Sequence, residues 1–425
     1  MSEIATTQET CLTNCKQPVV FRRALSSWEC SSWTLTDWAT KTQNVSLKFR
    51  VGIKSATGAP QWETEGTRAS ATIGQFSQWI SGLADKRNEL ATVDGSSHFA
   101  YSSYNYMHNV FRDFPSVLES VDWTSFGFPG RNGADSTLWL GSEGSDTPCH
   151  QDTYGYNLVA QLIGKKSWTM FPPKDGSCLY PTRIPFEESS IFSMVNFGEV
   201  DFMTFPELQS TRPYHVVLEP GDVLLVPHHW WHYVSCLTNA LSINTWIPMD
   251  TDKDFQLLEA VTRTLATALI PCYEDEAEQW VNTNEFQHQQ WLCLQAYCDT
   301  PVCISNINFC TEVPLHLRII LNKELTSPEQ NLAYLQRLVQ PHRMEDITPG
   351  CASPVTELPF TCVSHFNWED YASRTGSTLL HKCHSDKRQA AGAGRDVISS
   401  RRIISCFLDP SVAEVISKRL KELIK

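Results

Sequence analysis

The chain has 425 residues, with 34 Lys and Arg against 47 Asp and Glu, and so carries a net charge of −13. Only 19% of residues are charged, 41% are apolar and 14 are Trp, a composition suited to a large buried core. It excludes a collagen-like or wholly disordered chain and, on charge, a general nucleic-acid binder. Length alone allows about three domain-sized units, although one β domain can absorb roughly 200 residues or more.

In chain order, residues 1–16 read as a flexible polar tail without the apolar centre of a signal peptide. Val19, Val20 and Phe21 predict a short strand, followed by Trp28, Trp33 and Trp38. Helices are expected over 34–40 and 74–91, then a strand over 98–106. Residues 127–133, with three Gly and one Pro, form a breaker-rich loop.

From 136 to 249 short apolar runs are punctuated by Gly and Pro, at 137–141, 158–163, 167–171, 215–218, 223–226, 232–236 and 241–246. Many short strands with turn signals between them predict a sandwich or barrel. Glu219-Pro220-Gly221-Asp222 is a turn, Pro setting φ and Gly supplying a positive one.

After Asp250 the period changes. Leu258, Val261, Leu265 and Leu269 recur at spacings of 3, 4 and 4, one face of a helix. Residues 276–297 and 327–339 also read as helical, so 251–345 is expected to be a helical region. Residues 346–425 are expected to be a linker and a C-terminal helix. The linker is basic and Gly/Ala-rich over 387–402, and the helix starts at Pro410, with Val412, Val415, Ile416 and Leu420 on one side.

The 15 cysteines are odd in number and irregularly spaced. Cys293, Cys298, Cys303 and Cys310 lie 5, 5 and 7 apart, with no C-x2-C pair, so zinc is not expected there. No run reaches the roughly 18 apolar residues of a membrane span. These features predict a cytoplasmic protein with reduced thiols, a nuclear presence remaining open.

The chemistry concentrates in Thr147-Pro148-Cys149-His150-Gln151-Asp152. On a strand, 150 and 152 project from the same face, setting an imidazole beside a carboxylate. A third ligand has to come from elsewhere, and Pro227-His228-His229-Trp230-Trp231-His232 offers three histidines. Two His and one carboxylate leave three positions open on a metal, which suits non-haem iron and oxygen. His-x-Asp alone is weak evidence, since the same triplet occurs in surface turns. Lys166, one hairpin beyond His150, could neutralise a ligand carboxylate, or simply be a solvated strand residue.

Five blocks, 18–22, 147–152, 164–173, 220–232 and 242–246, together resemble the JmjC family of Fe(II)- and 2-oxoglutarate-dependent dioxygenases. The resemblance covers 17–250. It implies a mainly β fold with helices: a double-stranded β-helix, or cupin-like jelly roll, flanked by N-terminal helices and a C-terminal helical region. It is strongest toward the branch associated with a small heat-shock protein, through 126–133, 179–185 and 229–233. It is also similar to the branch that hydroxylates asparagine in hypoxia-inducible factor.

The resemblance implies His150, Asp152 and His232 as Fe(II) ligands, His232 rather than His228 or His229 because the family's ligand follows the Trp-Trp pair. It implies Lys166 and Thr147 on the distal carboxylate of 2-oxoglutarate, with Asn157 and Asn244 lining the site and Tyr104 or Tyr101 completing it. With O2, such a site converts 2-oxoglutarate to succinate and CO2 while oxidising a substrate. No zinc finger or chromatin-reader motif is evident, which favours a protein hydroxylase over a histone demethylase. The alternative is a stress-linked adaptor that binds a small heat-shock protein with little catalysis. The implied partners are therefore a protein substrate or a small heat-shock protein, with no membrane and no general nucleic-acid binding. The C-terminal helices would either make a homodimer or cap the jelly roll.

Overall fold

A computed structural model describes residues 15–252 and 358–380, with Leu12, Phe255, Gln256, Leu258, Glu259, Thr262, Asp409 and Glu414 in addition. The helices expected over 276–297 and 327–339, the cluster from Cys293 to Cys310 and the linker over 387–402 lie outside the described residues. No helix among those described is long and apolar enough to cross a membrane.

The strands in chain order are β1 (Val19–Phe21), β2 (Ser46–Ile53), β3 (Thr67–Thr72), β4 (His98–Tyr106), β5 (Thr137–Gly141), β6 (Asp146–Asp152), β7 (Tyr156–Ile163), β8 (Lys166–Phe171), β9 (Pro181–Glu187), β10 (Ser190–Ser193), β11 (Glu199–Asp201), β12 (Tyr214–Leu218), β13 (Val223–Val226), β14 (Trp231–Cys236), β15 (Ala240–Ile247), β16 (Phe360–Cys362) and β17 (Thr378–Leu380). The main helices are α1 (Leu35–Thr42), α2 (Ile73–Ile80) and α3 (Trp368–Thr375).

The chain divides into two compact units. The first holds 1–181, 193–249 and 349–383, and is a jelly-roll β-sandwich of two antiparallel sheets. One sheet runs β16-β1-β13-β7-β15-β5-β4-β2-β3, and the other β12-β8-β14-β6. Period-two alternation sorts their side chains. Val20, Val159, Leu224 and Val226 of the first sheet meet Trp168, Met170, Val216, Leu218 and Val234 of the second. On the outer face of the first sheet, Leu158, Ala160, Leu162, Leu241 and Ile243 join a larger core with Trp28, Trp38, Phe76 and Trp123. Trp28 and Trp123 pack edge-to-face at 4.8 Å, so much of the tryptophan content is structural.

Capping boxes start both N-terminal helices. Thr34 accepts from the Asp37 N–H at the head of α1 while Asp37 accepts from the Thr34 N–H, and Thr72 and Gln75 do the same for α2. The helix expected over 74–91 is shorter: α2 ends at Ile80 because Gly82 takes φ +71. A separate 3-10 turn, Glu89–Thr92, then starts on the Asn88 cap.

Residues 358–380, which the sequence reading placed in the linker, are ordered in the first unit. β16 pairs with β1, β17 pairs in parallel with β11, and α3 lies on the outer face of β8. There Tyr371 Oη meets Thr169 Oγ1 at 3.1 Å, and Trp368 stacks on Phe171 at 6.0 Å. Leu12 and Cys15 are buried in the core.

The second unit holds 182–192, 250–348 and 384–425. Its described part contains β9 and β10 as neighbouring strands, and a buried Arg183–Glu259 ion pair with both N···O contacts at 2.6 Å. Glu259 also accepts from the Ser189 N–H at 3.0 Å.

Candidate metal centre

Cross-strand pairing builds the centre. In the antiparallel β6–β14 ladder, His232 lies directly opposite His150, with ring centroids 4.2 Å apart. Asp152, two residues along β6, faces the same way, and its Oδ1 lies 3.5 Å from His150 Nε2. Each of the three residues offers one ligand atom, and these atoms lie within 4.8 Å of one another, so the cluster could hold a metal ion.

The imidazoles are oriented from behind. His150 Nδ1 lies 2.9 Å from the Pro148 carbonyl, and His232 Nδ1 lies 3.0 Å from the Trp230 carbonyl. A carbonyl only accepts, so each Nδ1 carries a proton, which leaves Nε2 as the atom each ring can offer to the centre. Burial lowers His232 to about 4, helped by His150 and opposed by Asp152 and the Trp230 carbonyl, so it is neutral at ordinary pH. Burial alone would raise Asp152. The His150 and His232 rings beside it and the Trp246 indole outweigh it and bring Asp152 down to about 2.

His228 and His229 are turned away from the cluster. They stack on each other at 3.6 Å, and their ring nitrogens bond the Gly155 and Thr153 carbonyls. His229 sits at φ +63, in the turn before β14.

One cavity between the sheets, with about 430 Å³ of space counting its open mouth, is lined by all nine residues singled out in the sequence. Lys166 enters from β8 and is 2% exposed. Its Nζ donates to Ser242 Oγ at 2.7 Å and lies 5.5 Å over the Tyr101 ring. No carboxylate pairs with it among the described residues, and burial lowers its pKa, with Cys236 acting against the shift. Lys165 faces solvent and pairs with Glu219 at 2.6 Å.

Two irregularities bring in residues that strict alternation would turn away. Between the His232–His150 and Val234–Thr147 pairs, β6 carries one residue more than β14, so Thr147 joins His150 and Asp152 in lining the cavity. Its hydroxyl donates to Tyr101 Oη at 3.3 Å. In β4 the register against β5 also slips, with Tyr104 at φ +52. Tyr101 and Tyr104 therefore both line the cavity, where the sequence had left a choice of one.

Sequence reasoning missed Trp139, Ser242 and Trp246. Trp139 Nε1 donates to Asn244 Oδ1 at 2.7 Å, Asn244 Nδ2 to Asn157 Oδ1 at 2.8 Å, and Trp246 Nε1 to Asp152 Oδ2 at 3.0 Å. Ser242 and Trp246 were within reach, because they flank Asn244 at spacing two in one strand. Trp139 was not, since it enters through the β5–β15 pairing.

A jelly roll with a His/Asp/His cluster between its sheets is the architecture of the cupin-like JmjC proteins, and the chain belongs to that family. Residues 5–253 match the cupin-like domain. HSPB1-associated protein 1 homolog of Danio rerio is 33% identical over 431 residues, covering 95% of this chain and 94% of that protein. HSPB1-associated protein 1 of Bos taurus is 32% identical over 442 residues, covering 95% and 90%. Lysine-specific demethylase JMJ30 of Arabidopsis thaliana is 30% identical over 234 residues, covering 54% and 49%. The family includes iron- and 2-oxoglutarate-dependent oxygenases.

Proposed function

We propose that the chain is an Fe(II)- and 2-oxoglutarate-dependent oxygenase of the protein-hydroxylase type. In this reading His150, Asp152 and His232 hold the metal, and Lys166 holds the distal carboxylate of 2-oxoglutarate. The observation that carries it is Lys166: a buried ammonium with no carboxylate partner among the described residues, in one cavity with a three-ligand cluster. A lone buried charge is costly, and an anionic ligand entering the cavity would relieve that cost.

Bound together, iron, 2-oxoglutarate and O2 supply oxidative decarboxylation of the keto acid to succinate and CO2, and oxidation of a substrate C–H bond. The residues of the chain prepare for this. Two imidazoles and one carboxylate leave three positions open, enough for a chelating keto acid and O2. The hydroxyls of Thr147, Tyr101 and Ser242 stand near Lys166, ready to hydrogen-bond the same carboxylate. Asn157 and Asn244, tied to each other, keep fixed amide dipoles on the wall. Tyr104, Trp139 and Trp246 add packed, half-buried aromatic rings to the cavity wall.

Anaerobic titration with Fe(II) and 2-oxoglutarate tests this reading. The wild type should develop a visible charge-transfer band, and His232→Ala should lack it. A silent wild type, or a band that survives in His232→Ala, refutes the assignment.

The names of the HSPB1-associated relatives favour a second reading, in which the chain associates with a small heat-shock protein and turns over little. Oxidation of such a partner by the wild type but not by His232→Ala supports the first reading. Equal capture of it by both proteins, with no oxidation, supports the second. A cytoplasmic location and a homodimer through 251–345 belong to the same proposal, and fractionation and sedimentation equilibrium test them.

A further inference from the structure

The two oxygens of Asp152 meet different partners. Oδ1 is the oxygen 3.5 Å from His150 Nε2, toward the ligand cluster. Oδ2 accepts the indole N–H of Trp246 at 3.0 Å. That indole is held in turn. It packs edge-to-face on Trp139 with centroids 6.4 Å apart, and Trp139 is fixed by its bond to Asn244 Oδ1. The backbone of β15 is anchored at the same point, where Arg131 Nη1 donates to Thr245 Oγ1 at 2.7 Å and to the Trp246 carbonyl at 3.4 Å.

A carboxylate can give a metal one oxygen or two. With two imidazoles, one carboxylate oxygen leaves three open positions, whereas two would leave only two. A chelating keto acid and O2 require three. An indole N–H on Oδ2 biases the choice, because that oxygen is already committed to a part-buried hydrogen bond that holds it away from the cluster.

We infer that Trp246 is a positioning residue that keeps Asp152 a one-oxygen ligand, with Oδ1 left for the metal and Oδ2 held by the indole. The inference rests on the metal reading proposed above and adds a function for a residue outside the ligand set.

The test is binding of Co(II) alone to the full chain, read by calorimetry and by the visible d–d spectrum. Trp246→Phe keeps a ring against Trp139 and removes only the donor. It should bind Co(II) about 10-fold more weakly, with a changed d–d spectrum as the freed oxygen joins the metal. Equal affinity with an unchanged spectrum overturns the inference. If the wild type itself binds no Co(II), the metal reading fails and this inference with it. A wild type that binds, with a variant that matches it, overturns the Trp246 assignment alone. A second measurement needs no variant. In wild-type protein labelled with 15N, the Trp246 indole N–H should stay protected from solvent exchange and shift when diamagnetic Zn(II) is added. An indole signal that exchanges freely or does not respond to Zn(II) overturns the inference independently.

Discussion

Replacing Lys166 with Met should change cosubstrate affinity and stability in opposite directions. Lys166 is 2% exposed, and its contacts are the Ser242 hydroxyl and the Tyr101 ring. Breaking a buried charge pair by removing one partner costs about 3–5 kcal/mol. Thr147, Tyr101 and Ser242 could still hydrogen-bond the orphaned carboxylate, so the lower end applies, and about 3 kcal/mol is roughly 100-fold in Kd. Calorimetric titration of 2-oxoglutarate into anaerobic, Fe(II)-loaded protein reads this directly. Without cosubstrate the sign reverses. The wild type buries an ammonium with no carboxylate partner among the described residues, and Met, of similar length, does not, so Lys166→Met should raise unfolding stability by about 1 kcal/mol or more. The difference should depend on pH. Burial places the folded-state pKa of Lys166 below the ordinary 10.5. Below that folded value both states hold the proton and the penalty is complete. As pH rises toward 10.5 the folded state releases its proton first and the penalty shrinks. The stability gap between wild type and variant should thus be widest near neutrality and should close in alkaline buffer. Undiminished 2-oxoglutarate affinity, or a Met variant less stable than wild type at neutral pH, would refute the reasoning.

Other perturbations test the frame around the site. Trp368→Ala removes a ring packed against Phe171, Phe202 and Tyr371, together with the indole bond to the Leu208 carbonyl. It should cost about 3–5 kcal/mol in urea unfolding, and a loss below 1 kcal/mol would show that the 358–380 segment is dispensable to the sandwich. Gly141→Ala would set a Cβ 2.4 Å from Ser145 Oγ and 2.7 Å from Tyr101 Cδ2. Overpacking of this kind costs about 1–3 kcal/mol, and displacement of Tyr101 should also weaken 2-oxoglutarate binding. A variant that melts and binds like wild type would count against the packing described. Burial, and secondarily Arg374, lower His215 to about 4 from 6.5. Between those values the unfolded chain takes up a proton that the folded one refuses, so stability should fall as pH drops from 6.5 toward 4. Thermal melts of His215→Gln should show a shallower fall, and identical slopes would mean that His215 contributes nothing to acid lability.

Particular residues show how much of the site was legible beforehand. His150 and Asp152 share a face because side chains alternate along a strand, a rule that needs only local sequence. Lys166 stood out as a strand lysine able to neutralise a ligand carboxylate, whereas Asn157 and Asn244 came only through the family resemblance and follow from no local rule. Thr147 and Tyr104 obey no local rule. They reach the cavity because β6 and β4 each carry a residue that their partner strands do not match. A bulge of this kind is decided by which hydrogen bonds two distant strands can close together, and one strand's text does not contain that information.

The sequence by itself determined the β-rich composition, the strand–turn rhythm over 136–249 and the residues capable of metal and carboxylate chemistry, because periodicity and side-chain type are local properties. Only the tertiary structure decided that His232 stands opposite His150, and that Trp139 and Trp246 reach Asn244 and Asp152. It also decided that 358–380, distant in sequence, returns as β16 beside β1 and as α3 behind β8. Each of these depends on pairing across long loops, where closure entropy is offset by contacts that exist only once both partners are in place.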